Sequence, residues 1–253
     1  MRERLSCSSR YKGSNKMKIF QGFALAFNML TIIPFFKVHD YFKGINGYSA
    51  MFYPLVGCIL GSILYFAQLF LKDIFPAPHV VVIIFALWVL LSGALHLDGL
   101  SDTIDGLFVK KEKALEVMKD SHVGGMGMIF TLVFLLLKLS SLYYLEVFYL
   151  LPLILMLSRL NATLAIYFYP YISSGVGALL KEEFSVKLLL ITLFYTLVLS
   201  LLFSSFDVFI FSLIVLLIIA QLLKNRLGGL SGDMYGFIIE LSELLLLNYM
   251  IIL

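Results

Sequence analysis

Residues 208–223 read VFIFSLIVLLIIAQLL, sixteen positions without a charge. The run is rich in Leu, Ile and Phe and lacks the period-2 alternation of a lipid-facing barrel strand, so it reads as a helix in an apolar medium. Six further stretches share its character: 51–71, 80–97, 126–143, 149–169, 187–203 and 237–253. A helix needs about 20 apolar residues to cross the hydrocarbon layer, and all seven meet or approach that length. An eighth run, 19–36, contains Asn28 and ends in Thr31-Ile32-Ile33-Pro34.

The composition of the whole chain agrees with these runs. Its 253 residues are 61% hydrophobic and 14% charged, with a mean hydropathy of +0.98. Globular proteins average roughly 45–50% apolar and about 25% charged residues. So few charges cannot cover a soluble sphere of this size. Disordered, collagenous and coiled-coil classes are excluded by the same numbers. A disulfide-rich secreted module is excluded because the cysteines are only Cys7 and Cys58. Cys58, in an apolar run, reads as a small buried hydrophobe. The 23 Phe and 14 Tyr are core and lipid-facing bulk, and no nucleic-acid partner is implied. The partner implied by composition is the lipid bilayer.

Basic residues set the orientation. If 19–36 does not cross, sixteen of the nineteen Lys and Arg fall on one side and Lys72 alone on the other, with Lys138 and Arg159 inside spans. If it crosses, giving eight spans, the N-terminal cluster lies opposite Lys110, Lys111, Lys113 and Lys119. The expectation is an all-α, polytopic integral membrane helical bundle. It has an interfacial or re-entrant helix at 19–36, then seven transmembrane helices, with the basic side cytoplasmic and the C-terminus outside. Residues 1–18 form a basic polar tail in which Met17 is an alternative start. The tail lacks the small-residue cleavage site of a secretory signal. Residues 19–253 form a single membrane-embedded catalytic domain, and no loop between spans is long enough to be a soluble domain.

Chemistry concentrates at one face of the membrane. In His96-Leu97-Asp98-Gly99-Leu100-Ser101-Asp102-Thr103-Ile104-Asp105-Gly106, helical spacing puts Asp98, Asp102 and Asp105 within an arc of about 60°. Leu97, Leu100, Ile104 and Leu107 fall opposite. Three anions so placed repel unless a cation sits among them, and a hard divalent ion such as Mg²⁺ suits oxygen ligands. A second group, Glu116 to His122, puts Glu116 and Asp120 at i, i+4 on one helical face. Two acidic helices joined by Lys110-Lys111-Glu112-Lys113 can close on one metal site, the recurrent arrangement for phosphoryl and phosphodiester transfer.

A third polar group, Lys224-Asn225-Arg226-Leu227-Gly228-Gly229-Leu230-Ser231-Gly232-Asp233, has glycines that permit close approach of backbone to a phosphate or a neighbouring helix. Asp233, Glu240 and Glu243 share a side. Intramembrane carboxylates usually face the bundle interior; Glu240 and Glu243 either pair with Arg159 and Lys138 or touch substrate. Arg159 and Asn161 stand in an apolar run and are candidates for the same contact. His39 and His79 read as interfacial.

The 96–106 segment resembles the HLDGLADTxDG signature of the cobalamin synthase family, the adenosylcobinamide-GDP ribazoletransferases. Met118-Lys119-Asp120-Ser121-His122-Val123-Gly124 is similar to its MKDSRIG-type segment. Gly228 to Asp233, with Glu240-Leu241-Ser242-Glu243, resembles its GGxTGD…ELSE ending. Phe52-Tyr53-Pro54-Leu55-Val56-Gly57 and Leu30 to Pro34 are like its FPLVG and LTRxP. The matches run in family order from about residue 20 to the end. Ile32 and His122 stand where the family has Arg, and Ser231 where it has Thr. A looser likeness joins Asp102-x-x-Asp105-Gly106 and Glu116-x-x-x-Asp120 to the CDP-alcohol phosphotransferase motif, without its Ala-Arg.

The resemblance implies a Mg²⁺-dependent phosphotransferase-type enzyme of the cytoplasmic (inner) membrane, with its site facing the cytoplasm. It would join adenosylcobinamide-GDP to α-ribazole, or its 5′-phosphate, to form adenosylcobalamin or its phosphate with release of GMP. On that basis Asp98, Asp102, Asp105 and Asp120 are expected to bind metal, with Asp98 and Asp120 catalytic. His96, Lys119, His122, Arg159, Asn161, Arg226, Ser231, Asp233, Glu240 and Glu243 are expected to contact substrate. The alternatives are a CDP-alcohol phosphotransferase-like enzyme and a membrane transporter. Transporters show paired halves and midplane broken helices, whereas these carboxylates cluster at one face. The sequence leaves a homo-oligomer open.

Overall fold

A computed structural model describes residues 15–33, 36–38, 41–120, 122–203 and 205–252. The tail through residue 14, with Cys7, and also Pro34, His39 and Ser121 lie outside the described residues. The chain forms α1 (Asn15–Leu30), α2 (Ile45–Leu71), α3 (Ala77–Leu91), α4 (Leu95–Leu107), α5 (Lys111–Val117), α6 (Gly125–Tyr144), a 3₁₀ turn running into α7 (Leu151–Phe168), α8 (Val176–Glu183), α9 (Val186–Leu202), α10 (Phe206–Leu227) and α11 (Gly232–Ile252). The strand pairing among the described residues is a single parallel bridge between Tyr171 and Leu230.

Five segments are straight, long and apolar enough to cross a membrane: α2, α6, α7 with its leading turn, α10 and α11. The pairs α3–α4 and α8–α9 pass the same test only together, bent by 80° and 90°, and bring the number to seven if each pair is one span. The expected span at 80–97 therefore falls on a bent pair. Gly93 and Ala94 have φ of 64° and 54°, a left-handed turn that ends α3. The expected span at 187–203 is likewise the second arm of a bent pair. α1 has 16 residues and rises about 24 Å, less than the roughly 30 Å hydrocarbon layer. It packs along α2, where a Cβ on Gly22 would come within 2.4 Å of the Tyr48 Cβ.

α7 is the axis of the bundle. Leu151, Leu153 to Leu157 and Leu160 are fully buried, as expected of a helix apolar on every side. It contacts α2, α9, α10 and α11. Between apolar helices in lipid, association rests on close packing more than on the hydrophobic effect, so small residues mark the crossings. Gly57 and Gly61 mark this one, since a Cβ on them would lie 2.2 Å from the Leu155 carbonyl oxygen and 2.5 Å from that of Leu151. Cys58 is unpaired and half-buried against the core, not fully buried as expected.

Loops that the charge count assigns to one side meet at one end of the bundle. Glu183, closing α8, accepts hydrogen bonds at 2.9 Å from the Asn46 backbone and side-chain amides at the start of α2. Arg226 donates to the carbonyls of Leu107 and Val109, at 3.3 and 2.8 Å, past the end of α4. The 228–231 loop pairs with 170–172, through Leu230 N–H to the Pro170 carbonyl at 2.8 Å and Ile172 N–H to the Leu230 carbonyl at 2.9 Å.

Candidate active site

Asp98, Asp102 and Asp105 ride on α4, while Leu97, Leu100 and Ile104 on its other side pack with Phe134 and Leu244. Asp98 is exposed, Asp102 half-buried and Asp105 buried. α4 and α11 come together at two glycines. A Cβ on Gly99 would lie 2.6 Å from the Asp233 carbonyl oxygen, and one on Gly236 would lie 3.1 Å from that of His96. This approach adds Asp233, from the first turn of α11, to the acidic face. Asp102 feels the negative charge of Asp98, Asp233 and Asp105, and Asp233 also feels the cation of Lys119. Ser231 precedes α11 and caps it: its hydroxyl accepts the Met234 N–H at 3.4 Å and donates to Asp233 Oδ2 at 3.4 Å.

Asp105 has a second task. Its Oδ2 accepts the Gly124 N–H at 2.9 Å and its Oδ1 the Gly127 N–H at 2.8 Å. The carboxylate therefore caps α6 from across the loop, where the partial positive charge of a helix N-terminus favours an anion. A Cβ on either glycine would fall 2.3 Å from a carboxylate oxygen, so the close fit requires both. Each oxygen keeps a further lone pair.

Asp120 departs from its expected place. α5 ends at Val117, so Glu116 and Asp120 do not share a helical face. The Asp120 carboxylate accepts the His122 backbone N–H at 3.0 Å and lies 2.7 Å from the His122 ring nitrogen. This local turn competes with helix continuation. Hydrogen bonds from the His122 ring and then its backbone hold the Asp120 carboxyl below the usual carboxylate range. Both side chains are exposed. Lys119 is exposed, near enough for its charge to act on Asp233, and Arg226 is engaged with the end of α4.

The intramembrane polar residues find partners inside the bundle. Lys138 of α6 donates to Glu240 at 2.6 Å and to Glu243, and Arg159 of α7 pairs with Glu243. Lys138 also sits 4.3 Å from the Trp88 ring centroid. Asn161 donates to the Ser212 carbonyl and to the Ser242 hydroxyl, at 3.1 and 2.9 Å, and accepts from the Ser212 hydroxyl at 3.1 Å. The pairing alternative for Glu240 and Glu243 is the arrangement found, and Arg159 and Asn161 tie helices together rather than line the cavity described next.

A cavity of about 300 Å³ opens beside the acids, lined among others by Tyr53, His96, Asp98, Gly99, Asp233 and Tyr235. His96 and Tyr235 are 6% and 7% exposed, and the His96 Nδ1 and Tyr235 hydroxyl have no hydrogen-bond partner. Tyr171 stacks on Tyr235, with centroids 6.1 Å apart; burial pushes its phenol up. The tyrosines were not anticipated from sequence. Tyr235, two residues after Asp233 in the glycine-rich segment, carried the one available signal.

Among the described residues no three His, Cys, Asp or Glu side chains are gathered to hold a metal ion by themselves. Mg²⁺ is ordinarily held by one or two carboxylates together with waters and substrate phosphates. The hard-oxygen face of Asp98, Asp102 and Asp233, whose charges repel without a cation, fits that pattern. Asp120 does not stand on that face.

The family model for cobalamin-5-phosphate synthase matches residues 22–251. The chain is 38% identical over 209 residues to an adenosylcobinamide-GDP ribazoletransferase of Thermosynechococcus vestitus, covering 79% of this chain and 84% of the relative. It is 35% identical over 240 residues to the protein so named from Desulfitobacterium hafniense, covering 88% and 93%. The one so named from Acinetobacter baumannii is 34% identical over 236 residues, covering 89% and 94%. No solved structure matches the chain.

Proposed function

The chain belongs to the cobalamin-5-phosphate synthase family, and from that premise we propose that it joins adenosylcobinamide-GDP to α-ribazole, or its 5′-phosphate, in a Mg²⁺-dependent reaction. The relatives carry the name of that transferase. The observation that supports the chemistry is the acidic face of α4 completed by Asp233 at the mouth of a cavity. The gathering of basic loops at the same end supports a multi-pass protein of the cytoplasmic membrane with this site facing the cytoplasm.

A free ribose hydroxyl of the acceptor, other than the 5′ position that carries the phosphate in the phosphorylated acceptor, attacks the phosphorus joined to the corrinoid, and the bond to the departing GMP breaks. Mg²⁺, when bound, supplies positive charge to the diphosphate and to the leaving group. Asp98 and Asp102 would hold it, with Asp233 beside them. Asp105 anchors the start of α6 and keeps α4 in register with it. Asp98, exposed at the cavity mouth, takes the proton of the attacking hydroxyl from either acceptor, since a 5′-phosphate is carried unchanged into the product. Lys119, just past α5, and Arg226, in the last turn of α10, offer cationic groups to the phosphates, and His122 an exposed imidazole.

Purified protein incubated with adenosylcobinamide-GDP, α-ribazole and Mg²⁺ is expected to yield cobalamin and GMP in equal amounts, and chelation to stop both. Asp98→Asn is expected to lower turnover by on the order of 100-fold or more, with the protein still folded. Failure of the wild type to form cobalamin would overturn the reading.

A further inference from the structure

The cavity beside Asp98 has a composition that the phosphate chemistry does not use. Its mouth carries Asp98 and Asp233, but its body is formed by Met29, Leu30, Ala162, Leu180 and Ile239, with the aromatic rings of Tyr53 and Tyr235. At about 300 Å³ it stands at the small end of the roughly 300–1,000 Å³ span of drug-sized sites. A corrinoid bearing a nucleoside diphosphate is several times too large. A guanine ring carries donors and acceptors around its whole edge, most of which these apolar walls would leave unpaired at a cost. An acyl chain would leave the His96 Nδ1 and the Tyr235 hydroxyl as they are, buried without partners, and such groups are rare in native proteins.

The remaining component of the proposed reaction matches. The base of α-ribazole is a methylated bicyclic aromatic with one free ring nitrogen, which accepts a single hydrogen bond, and its ribose adds hydroxyls. We infer that this cavity seats the aromatic base of the acceptor riboside, with Tyr235 and His96 answering its polar atoms and the attacking ribose hydroxyl directed to Asp98. The inference rests on the transferase reading and adds to it the residues that select the acceptor. The Tyr235 phenol donates to the ring nitrogen, and the Tyr53 and Tyr235 rings supply flat apolar surface. The His96 imidazole, donor or acceptor by tautomer, meets a ribose hydroxyl. Gly177 and Gly236 lie among the lining residues, where each lets a neighbouring group approach closely. A Cβ on Gly177 would fall 2.5 Å from the Tyr171 ring.

The test separates binding of the two substrates. α-Ribazole binding is measured by calorimetry on the full-length protein in detergent, without metal or corrinoid, and KM is measured for each substrate. Tyr235→Phe keeps the ring and removes one donor, and is expected to weaken α-ribazole binding by on the order of tenfold. Ala162→Leu, which fills the cavity, is expected to weaken it at least as much. The KM for adenosylcobinamide-GDP is expected to stay within about twofold in both, and a thermal melt shows that each variant is folded. If the wild type forms no cobalamin, the transferase reading fails. If the wild type is active and both folded variants bind α-ribazole unchanged, or if only the corrinoid KM rises, the transferase reading stands and this assignment falls.

Discussion

Asp98 and Asp105 lie seven positions apart on one face of α4, yet their surroundings divide their roles. Asp105 is buried and receives two backbone N–H groups at the start of α6, whereas Asp98 is exposed at the cavity mouth. Substitution should separate them. Asp105→Asn keeps the shape but removes the charge facing the helix end, and is expected to cost about 1 kcal/mol of stability. Asp98→Asn removes one of several repelling anions and is expected to leave the melting temperature level or raise it. Melting curves of the two variants in the same detergent check both; equal losses would refute the division. The shared face is legible in the spacing of the three aspartates, because period alone fixes direction on a helix. Spacing could not show that Asp105 is spoken for, since Gly124 and Gly127 reach it from another element.

At the scale of elements, the crossing of α2 and α7 depends on two glycines four positions apart. A Cβ on Gly57 would lie 2.2 Å from the Leu155 carbonyl oxygen, and backbone cannot give way cheaply. Gly57→Leu is therefore expected to abolish the folded monodisperse protein. Gly125, whose Cβ would meet nothing within 4 Å, is expected to accept Ala with a melting temperature unchanged or raised. Size-exclusion profiles and melts of the two variants make the comparison. The long apolar runs were legible, as their composition permits only membrane helices. The bend after Leu91 was not, because the apolar run continues through Gly93 and Ala94, and only backbone angles show the chain turning. Likewise the spacing of Glu116 and Asp120 suits a helix, but the Asp120–His122 turn takes the carboxylate out of it.

Across the whole molecule, Lys138, Arg159, Glu240 and Glu243 bind α6, α7 and α11 into a charge-neutral knot among buried side chains. Removing one member leaves a charge uncompensated. Lys138→Met alone is expected to cost about 3–5 kcal/mol. Adding Glu240→Gln should recover much of that, since Glu243 keeps Arg159. A double-substitution cycle read by denaturant unfolding in detergent gives the coupling; strictly additive losses would show that the knot contributes little.

Composition and period by themselves determined that this chain lives in a bilayer, which loops carry its cations, and that α4 has an acidic line along one side. Those properties are local: each depends on neighbours within a few turns of the same segment. Which anions meet was decided only by the packing of α4 on α11 through Gly99 and Gly236, bringing Asp233 to Asp98 and Asp102 while Asp120 stays on its own turn. So too was the cavity, bounded by residues from Met29 to Ile239. Helix periodicity says where a side chain points, and close approach of backbones settles what it finds there.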